Sequence, residues 1–217
     1  MVRKLPQDRL TVALPKGRLF DQVISIFASA GIIENLIKQD SRKLILQVDK
    51  FNFLLVRAKD VPVYVEYGVA DIGVAGDDLL FETKPDVYIP VDLGVGACTI
   101  MVAGLPEDRD KYFSNPTSLK VATKYPNIAR DFFGKKGVKV QIIELYGSIE
   151  LAPLVGLADF IVDIVETGRT LRENGLVVLE EISPSSAKLI VNRASYKTKS
   201  EEVMPLIEKL ENTLVKG

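Results

Sequence analysis

The chain has 217 residues, 47% hydrophobic and 26% charged, a composition that points to a folded, soluble protein rather than a disordered one. Its 28 Lys and Arg offset 29 Asp and Glu to a formal charge of −1, which argues against a general nucleic-acid binder, whose domain would be basic. With no histidine and one cysteine, Cys98, the chain has no imidazole base, His-paired nucleophile, histidine metal ligand, intrachain disulfide or cysteine-rich zinc site.

Residues 1–10 are polar and carry Arg3, Lys4, Asp8 and Arg9, without the apolar core of a signal peptide. No stretch approaches the ~20 apolar residues of a membrane span, so the expected location is the cytoplasm, with no membrane partner. Residues 10–14 read as a buried strand and Pro15-Lys16-Gly17 as a turn. Leu19, Phe20, Val23, Ile24, Phe27 and Ala30 then follow helical spacing. Residues 43–48 and 53–58 are β-rich and predict a hairpin. Asp60-Val61-Pro62 opens a helix that Gly68 ends. Residues 71–75, 87–91 and 99–103 read as strands, with a short helix opening at Gly76-Asp77-Asp78. Residues 105–118 are polar and contain prolines, and they predict a loop.

A second alternating block follows. Strands are predicted at 120–123, 138–144, 160–165, 177–182 and 188–191. Helices are predicted at 126–133, from a Ser148 cap through 154, at 168–174, and at 200–215, where Pro205 sits awkwardly. Alternation of strands and helices implies parallel α/β sheets. Some ten strands are many for one sheet, so two α/β lobes are expected. The first comprises residues 1–94 plus 182–217 and the second 95–181, with a ligand cleft between them.

Five segments could carry chemistry. In Asp163-Ile-Val-Glu166-Thr167-Gly168-Arg169-Thr170 a hydrophobic strand delivers carboxylates into a Thr-Gly-x-Thr loop that enters a helix. Free N–H groups there suit a phosphate, and a carboxylate suits sugar hydroxyls. An ordinary capped turn reads equally well. Lys16-Gly17-Arg18 places two cations at a strand's carboxyl end, where α/β sheets bind ligands, although a solvated basic turn is the simpler reading in isolation. Ser41-Arg42-Lys43 reads alone as a charged strand edge. In Asp71-Ile-Gly73-Val-Ala-Gly76 two glycines allow an anion nest or a plain tight turn. Ala122-Thr-Lys-Tyr125 and Tyr146-Gly147-Ser148 are strand-to-helix junctions.

Taken together, these segments resemble one family. Glu150, Gly156, Ala158, Ile161, Asp163, Ile164, Thr167, Gly168, Thr170 and Leu171 stand at the spacing of the ATP phosphoribosyltransferase signature. The resemblance also covers Leu14-Pro-Lys-Gly-Arg18, Ser41-Arg-Lys-Leu44, Asp60-Val-Pro62, Tyr64-Val-Glu66, Gly68-Val-Ala-Asp71, Ala122-Thr-Lys-Tyr125 and Tyr146-Gly-Ser148, in order, from about residue 10 to 196. It implies a fold similar to type II periplasmic binding proteins. The implied activity joins ATP to phosphoribosyl pyrophosphate with Mg²⁺, giving phosphoribosyl-ATP and pyrophosphate, the first step of histidine biosynthesis. It further implies the short form of the family: a homodimer as building unit, in a hetero-octamer with a regulatory subunit resembling histidyl-tRNA synthetase.

By the same resemblance, Glu166, Thr167, Gly168, Arg169 and Thr170 hold the donor's 5′-phosphate, and Asp163 lies near its ribose. Arg18 and Arg42 serve the pyrophosphate. Lys16, Gly17, Asp71, Gly147 and Ser148 line the nucleotide side. The metal has no protein ligands, Mg²⁺ being carried by the substrates. A two-lobed solute-binding or sensor protein is the competing reading.

Overall fold

The computed structural model describes residues 9–34, 43–114 and 117–215. The chain falls into two compact units, residues 1–96 with 186–217 and residues 97–185.

Unit one is built on a six-stranded sheet in the order β2-β3-β1-β4-β11-β5. Its strands are β1 (Leu10–Pro15), β2 (Ile45–Val48), β3 (Phe51–Val56), β4 (Ile72–Gly76), β5 (Val87–Asp92) and β11 (Ala187–Asn192). β1 is buried along its whole length, as its continuous apolar run demands of a strand covered on both faces. Helix α1 (Arg18–Ser29) buries Phe20, Val23, Ile24 and Phe27 against one face. Each such side chain is worth about 1.5–3 kcal/mol of transfer free energy. Helix α9 (Ser200–Leu214) adds Val203, Leu206, Ile207 and Leu210 to the same core. Pro205 lies in its second turn, and the helix continues through it.

Helices α2 (Val61–Glu66) and α3 (Asp77–Thr83) contribute Val61, Val65 and Leu80 to a separate core with Ala13, Ala75 and Ile190. Gly73 of β4 permits this packing. A Cβ there would lie 2.6 Å from Val65 Cγ2 and 2.8 Å from Val61 Cγ1. Gly73 is therefore covered by α2 rather than open to an anion, so the packing does not favour the anion nest among the two readings its glycine allowed.

Unit two carries a five-stranded sheet, β10-β6-β9-β7-β8. Its strands are β6 (Cys98–Gly104), β7 (Ser118–Thr123), β8 (Lys139–Glu144), β9 (Phe160–Val165) and β10 (Val177–Ser185). The helices are α4 (Arg109–Phe113), α5 (Pro126–Lys135), α6 (Leu151–Leu154) and α7 (Arg169–Glu173). Ala152, Leu171 and Leu176 pack on Ala103, Ala122 and Ile161 of the sheet.

Two local expectations fail. Both sheets are mixed rather than parallel: β1, β3 and β4 run together, as do β7, β8 and β9, but β2, β11, β6 and β10 pair antiparallel. Residues 106–113, expected as a loop, form a 3₁₀ turn and α4, held by buried Tyr112, whose ring meets Phe133 and Phe160 edge-on at 6.4 and 5.2 Å. A further helix, α8 (Arg193–Thr198), follows β11 without a break. Asn192 creates it, its Oδ1 accepting from the N–H groups of Ala194 and Ser195, both at 3.0 Å. Its amide nitrogen donates to the last carbonyls of α2, Val65 O at 2.8 Å and Glu66 O at 3.1 Å.

Candidate active site

Because β7, β8 and β9 are parallel, their carboxyl ends share one edge of unit two. That edge carries Lys124, the 145–150 stretch, and Asp163 with its following loop. Thr123 bolts these together. It is fully buried, its hydroxyl donates to Val162 O at 2.6 Å, and it accepts from Tyr125 N at 2.9 Å. Its carbonyl accepts from Leu145 N at 3.0 Å.

Asp163 sits in β9 with 14% of its side chain exposed, and Lys124 Nζ lies 3.0 Å from its Oδ1. The same oxygen accepts from Ile164 N at 2.7 Å. Burial pushes the Asp163 carboxyl above its ordinary value, Lys124 opposes that shift, and the charge of Glu150 adds to it.

The loop after β9 is open. Glu166, Thr167, Arg169 and Thr170 are exposed. Gly168 takes φ 68, ψ 10, the left-handed region that glycine enters without a Cβ penalty, and α7 starts immediately after it. Arg172 Nη1 donates to Thr167 O at 2.9 Å and Arg169 N to Thr167 Oγ1 at 3.4 Å, which fixes the turn from both sides. Arg169 Nε pairs with Glu173 Oε1 at 2.7 Å in solvent, a contact of small energetic weight.

Gly147 and Ser148 are exposed on the same edge. Ser148 does not cap α6 through its side chain. It adopts φ 48, a strained conformation for a non-glycine residue, and its carbonyl accepts from Leu151 N at 3.2 Å. Its exposed hydroxyl stands beside a strained turn, a combination found at functional sites.

In unit one the parallel strands end at Lys16, Arg57 and Asp77. Lys16, Gly17 and Arg18 are exposed there, with Gly17 at φ 90, ψ −155 leading into α1. Lys16 N donates to Val56 O at 3.1 Å, so Arg57 follows on the adjacent strand. Asp77 pairs with Lys188 Nζ at 3.0 Å and accepts from Ser186 N at 3.1 Å; Lys188 also holds Asp92 at 2.6 Å.

Asp71 is elsewhere. It precedes β4, at the amino end of the parallel strands, and is 6% exposed. Its carboxylate accepts from Thr11 N at 2.9 Å, Ser195 Oγ at 2.7 Å and Lys199 Nζ at 2.8 Å. These contacts give Asp71 a structural role, joining β1, β4 and α8, at the end of the strands away from Lys16 and Arg18. Arg42 lies outside the described residues.

Sequence reasoning quoted Lys124 within Ala122-Thr-Lys-Tyr125 and Glu150 within the signature but gave neither a role of its own, and it did not single out Arg57. The available signal was position, since Lys124 immediately follows β7 in unit two and Arg57 immediately follows β3 in unit one, each at a strand's carboxyl end. A separate pocket of about 160 Å³ in unit two, lined by Tyr112, Phe133, Lys136 and Glu180 among others, opens at the opposite edge. Its polar groups satisfy each other, Tyr112 donating to Glu180, which Lys136 also pairs.

Two mixed α/β units, one bearing an exposed glycine-centred loop behind a strand carboxylate, define a fold shared with the periplasmic aliphatic sulphonate-binding protein SsuA of Escherichia coli. The likeness has a TM-score of 0.61 over 96% of this chain and 73% of that one, at 12% identity, and concerns the fold alone. The sequence model for ATP phosphoribosyltransferase (HisG) matches residues 57–212. The ATP phosphoribosyltransferase of Caldanaerobacter subterraneus subsp. tengcongensis is 54% identical over 97% of this chain and 100% of its own length. A chain of the ATP phosphoribosyl transferase (HisG:HisZ) complex from Thermotoga maritima matches with a TM-score of 0.79 and 37% identity, over 96% of this chain and 100% of that one. The chain belongs to the ATP phosphoribosyltransferase family, whose members are pentosyltransferases.

Proposed function

We infer that the chain condenses ATP with phosphoribosyl pyrophosphate, forming phosphoribosyl-ATP and releasing pyrophosphate, the first step of histidine biosynthesis. The observation that carries this reading is the family match, which takes in the whole Asp163–Thr170 segment together with its open, left-handed turn at Gly168.

The chemistry asks for little that histidine would supply. Adenine N1 carries a free lone pair at neutral pH and needs no strong general base. The difficulty is departure of pyrophosphate from an oxocarbenium-like ribose, where fixed positive charge and hydrogen-bond donors do the most. The 5′-phosphate is assigned to the Glu166–Thr170 loop, whose exposed backbone and two threonine hydroxyls offer donors. Asp163 is assigned to the ribose hydroxyls, as an acceptor. Arg18 and Arg42 are assigned to the pyrophosphate and its growing negative charge. Lys16, Gly17, Gly147 and Ser148 are assigned to the nucleotide.

Among the described residues no group of three or more His, Cys, Asp or Glu is arranged to hold a metal ion. Mg²⁺ is assigned to the substrates, as the complex with their phosphates. A regulatory subunit of the HisZ kind is proposed because the Thermotoga maritima protein is found in a HisG:HisZ complex, and a hetero-octamer built on a homodimer is proposed with it from the family resemblance. A cytoplasmic location is proposed with it. No helix among the described residues is long and apolar enough to cross a membrane.

The test is formation of phosphoribosyl-ATP from ATP, phosphoribosyl pyrophosphate and Mg²⁺ by the purified chain, with and without the regulatory subunit. Product that increases with the subunit is the expected result; no product under either condition, with the two proteins associated, overturns the reading. Arg18→Ala should lower kcat about tenfold or more, equivalent to about 1.4 kcal/mol of barrier. Unchanged steady-state turnover would remove Arg18 from the pyrophosphate.

A further inference from the structure

Asp163 is asked to do something that its surroundings resist. A carboxylate must stay ionised to accept from two sugar hydroxyls, yet this one is largely withdrawn from water. The charged groups facing it are few. Lys124 approaches from the β7–α5 junction, and Glu150 acts from the start of α6. Across β6 its pairing partner is Met101, which carries no charge.

The contact with Lys124 is also directional. Oδ1 takes both the ammonium, at 3.0 Å, and the N–H of Ile164, at 2.7 Å. No hydrogen bond reaches Oδ2 from the described residues. Lys124 is itself held, its Nζ lying 5.5 Å from the Tyr125 ring centroid. Its backbone is pinned to the Asp163 strand by Thr123, through the bonds to Val162 O and Tyr125 N.

We propose that Lys124 is a positioning residue for the reaction, its ammonium fixing the charge and orientation of Asp163 so that Oδ2 accepts from the ribose hydroxyls of the donor. The proposal rests on the assignment of Asp163 to the ribose. It deepens that assignment by naming the residue on which the acceptor depends. Lys124 does not touch the reacting atoms in this scheme. Its loss acts on donor binding through the protonation of Asp163.

The sign follows from the charges. An opposite charge at this distance lowers a carboxyl pKa by about 1–3 units. Lys124→Met removes that effect and leaves burial and Glu150 unopposed, so Asp163 protonates at a higher pH. The KM for phosphoribosyl pyrophosphate, which rises as pH falls through the Asp163 titration, should begin to rise about one pH unit or more sooner in Lys124→Met. Lys124→Arg keeps the charge and should restore the wild-type profile.

Two measurements on the full-length chain decide the matter. Carbon-13 NMR of the Asp163 carboxyl follows its titration in the free protein, where no substrate is involved. The pH dependence of KM and kcat, with the regulatory subunit present, follows its consequence. The expected result is a raised titration midpoint in Lys124→Met, a matching displacement of the KM profile with kcat changed less, and rescue of both by Lys124→Arg. An unmoved midpoint overturns the proposal whatever the kinetics. A moved midpoint with a pH-independent donor KM overturns it differently, by removing Asp163 from the ribose while leaving the ion pair real.

Discussion

Gly168→Ala should lower kcat/KM for phosphoribosyl pyrophosphate by about 100-fold, while costing the fold only about 1–2 kcal/mol. The two numbers differ because the substitution acts on position rather than packing. At φ 68 an alanine is strained whatever the space around it. The added Cβ would also stand 3.0 Å from Arg172 Nη1, the group that donates to Thr167 O. Relief comes either by rotating the backbone out of the left-handed region or by pushing the guanidinium away. Both displace Thr167 and the start of α7, the donors assigned to the 5′-phosphate. A misplacement of about 1 Å is enough for a loss of that size.

Stopped assays at varied donor concentration, with thermal unfolding alongside, test this. Gly134→Ala is the matched control. Gly134 lies in helix α5, with nothing within 4 Å of a new Cβ and no positive φ, so alanine there should stabilise by up to about 1 kcal/mol and leave turnover unchanged. A Gly168→Ala enzyme with wild-type kcat/KM would show that the loop tolerates displacement, and the 5′-phosphate would have to be sought elsewhere.

Most strands were legible because they are short apolar runs bounded by turn residues. β1, β4, β7 and β9 fall within a residue or two of their expected places. Strand direction was less accessible. Alternation with helices suggested parallel pairing throughout, but antiparallel neighbours such as β6 and β9, or β4 and β11, are decided by contacts far apart in the chain. Helix α4 was hidden because Glu107, Asp108, Arg109, Asp110 and Lys111 read as a solvated loop, while its attachment depends chiefly on Tyr112. Its phenol is driven upward in pKa, first by burial and then by Glu180, so it stays a neutral donor to that carboxylate. The Asp163–Thr170 loop was readable because its residues are consecutive. The Lys124–Asp163 pair, 39 positions apart in numbering, was not, since nothing local announces that β7 and β9 are neighbours. Asp71 had a usable signal that was outweighed by its glycines: it begins a strand, whereas ligands gather where parallel strands end.

That relocation carries the other large effect. Asp71→Ala should destabilise the fold by about 3 kcal/mol or more, lowering Tm by about 10 °C, without changing kcat at temperatures where the variant is folded. Removing the carboxylate strands three donors at once: the Thr11 N–H, the Ser195 hydroxyl and the Lys199 ammonium. The first two are buried, and a buried donor left without its acceptor costs about 1–3 kcal/mol. The ammonium suffers least, because the Lys199 side chain is 30% exposed and can turn to water. Lys199→Met should therefore be much milder, the carboxylate keeping its two neutral donors. Combining the variants isolates the ion pair, and a coupling energy near zero would place the stabilisation in the neutral hydrogen bonds alone. Calorimetry and steady-state turnover on the same preparations separate the two roles available to Asp71. A stable Asp71→Ala enzyme with a raised KM for ATP would return the residue to the nucleotide. A destabilised one with normal kinetic constants would leave it as the fastener between β1 and α8, on the edge of the sheet away from Lys16 and Arg18.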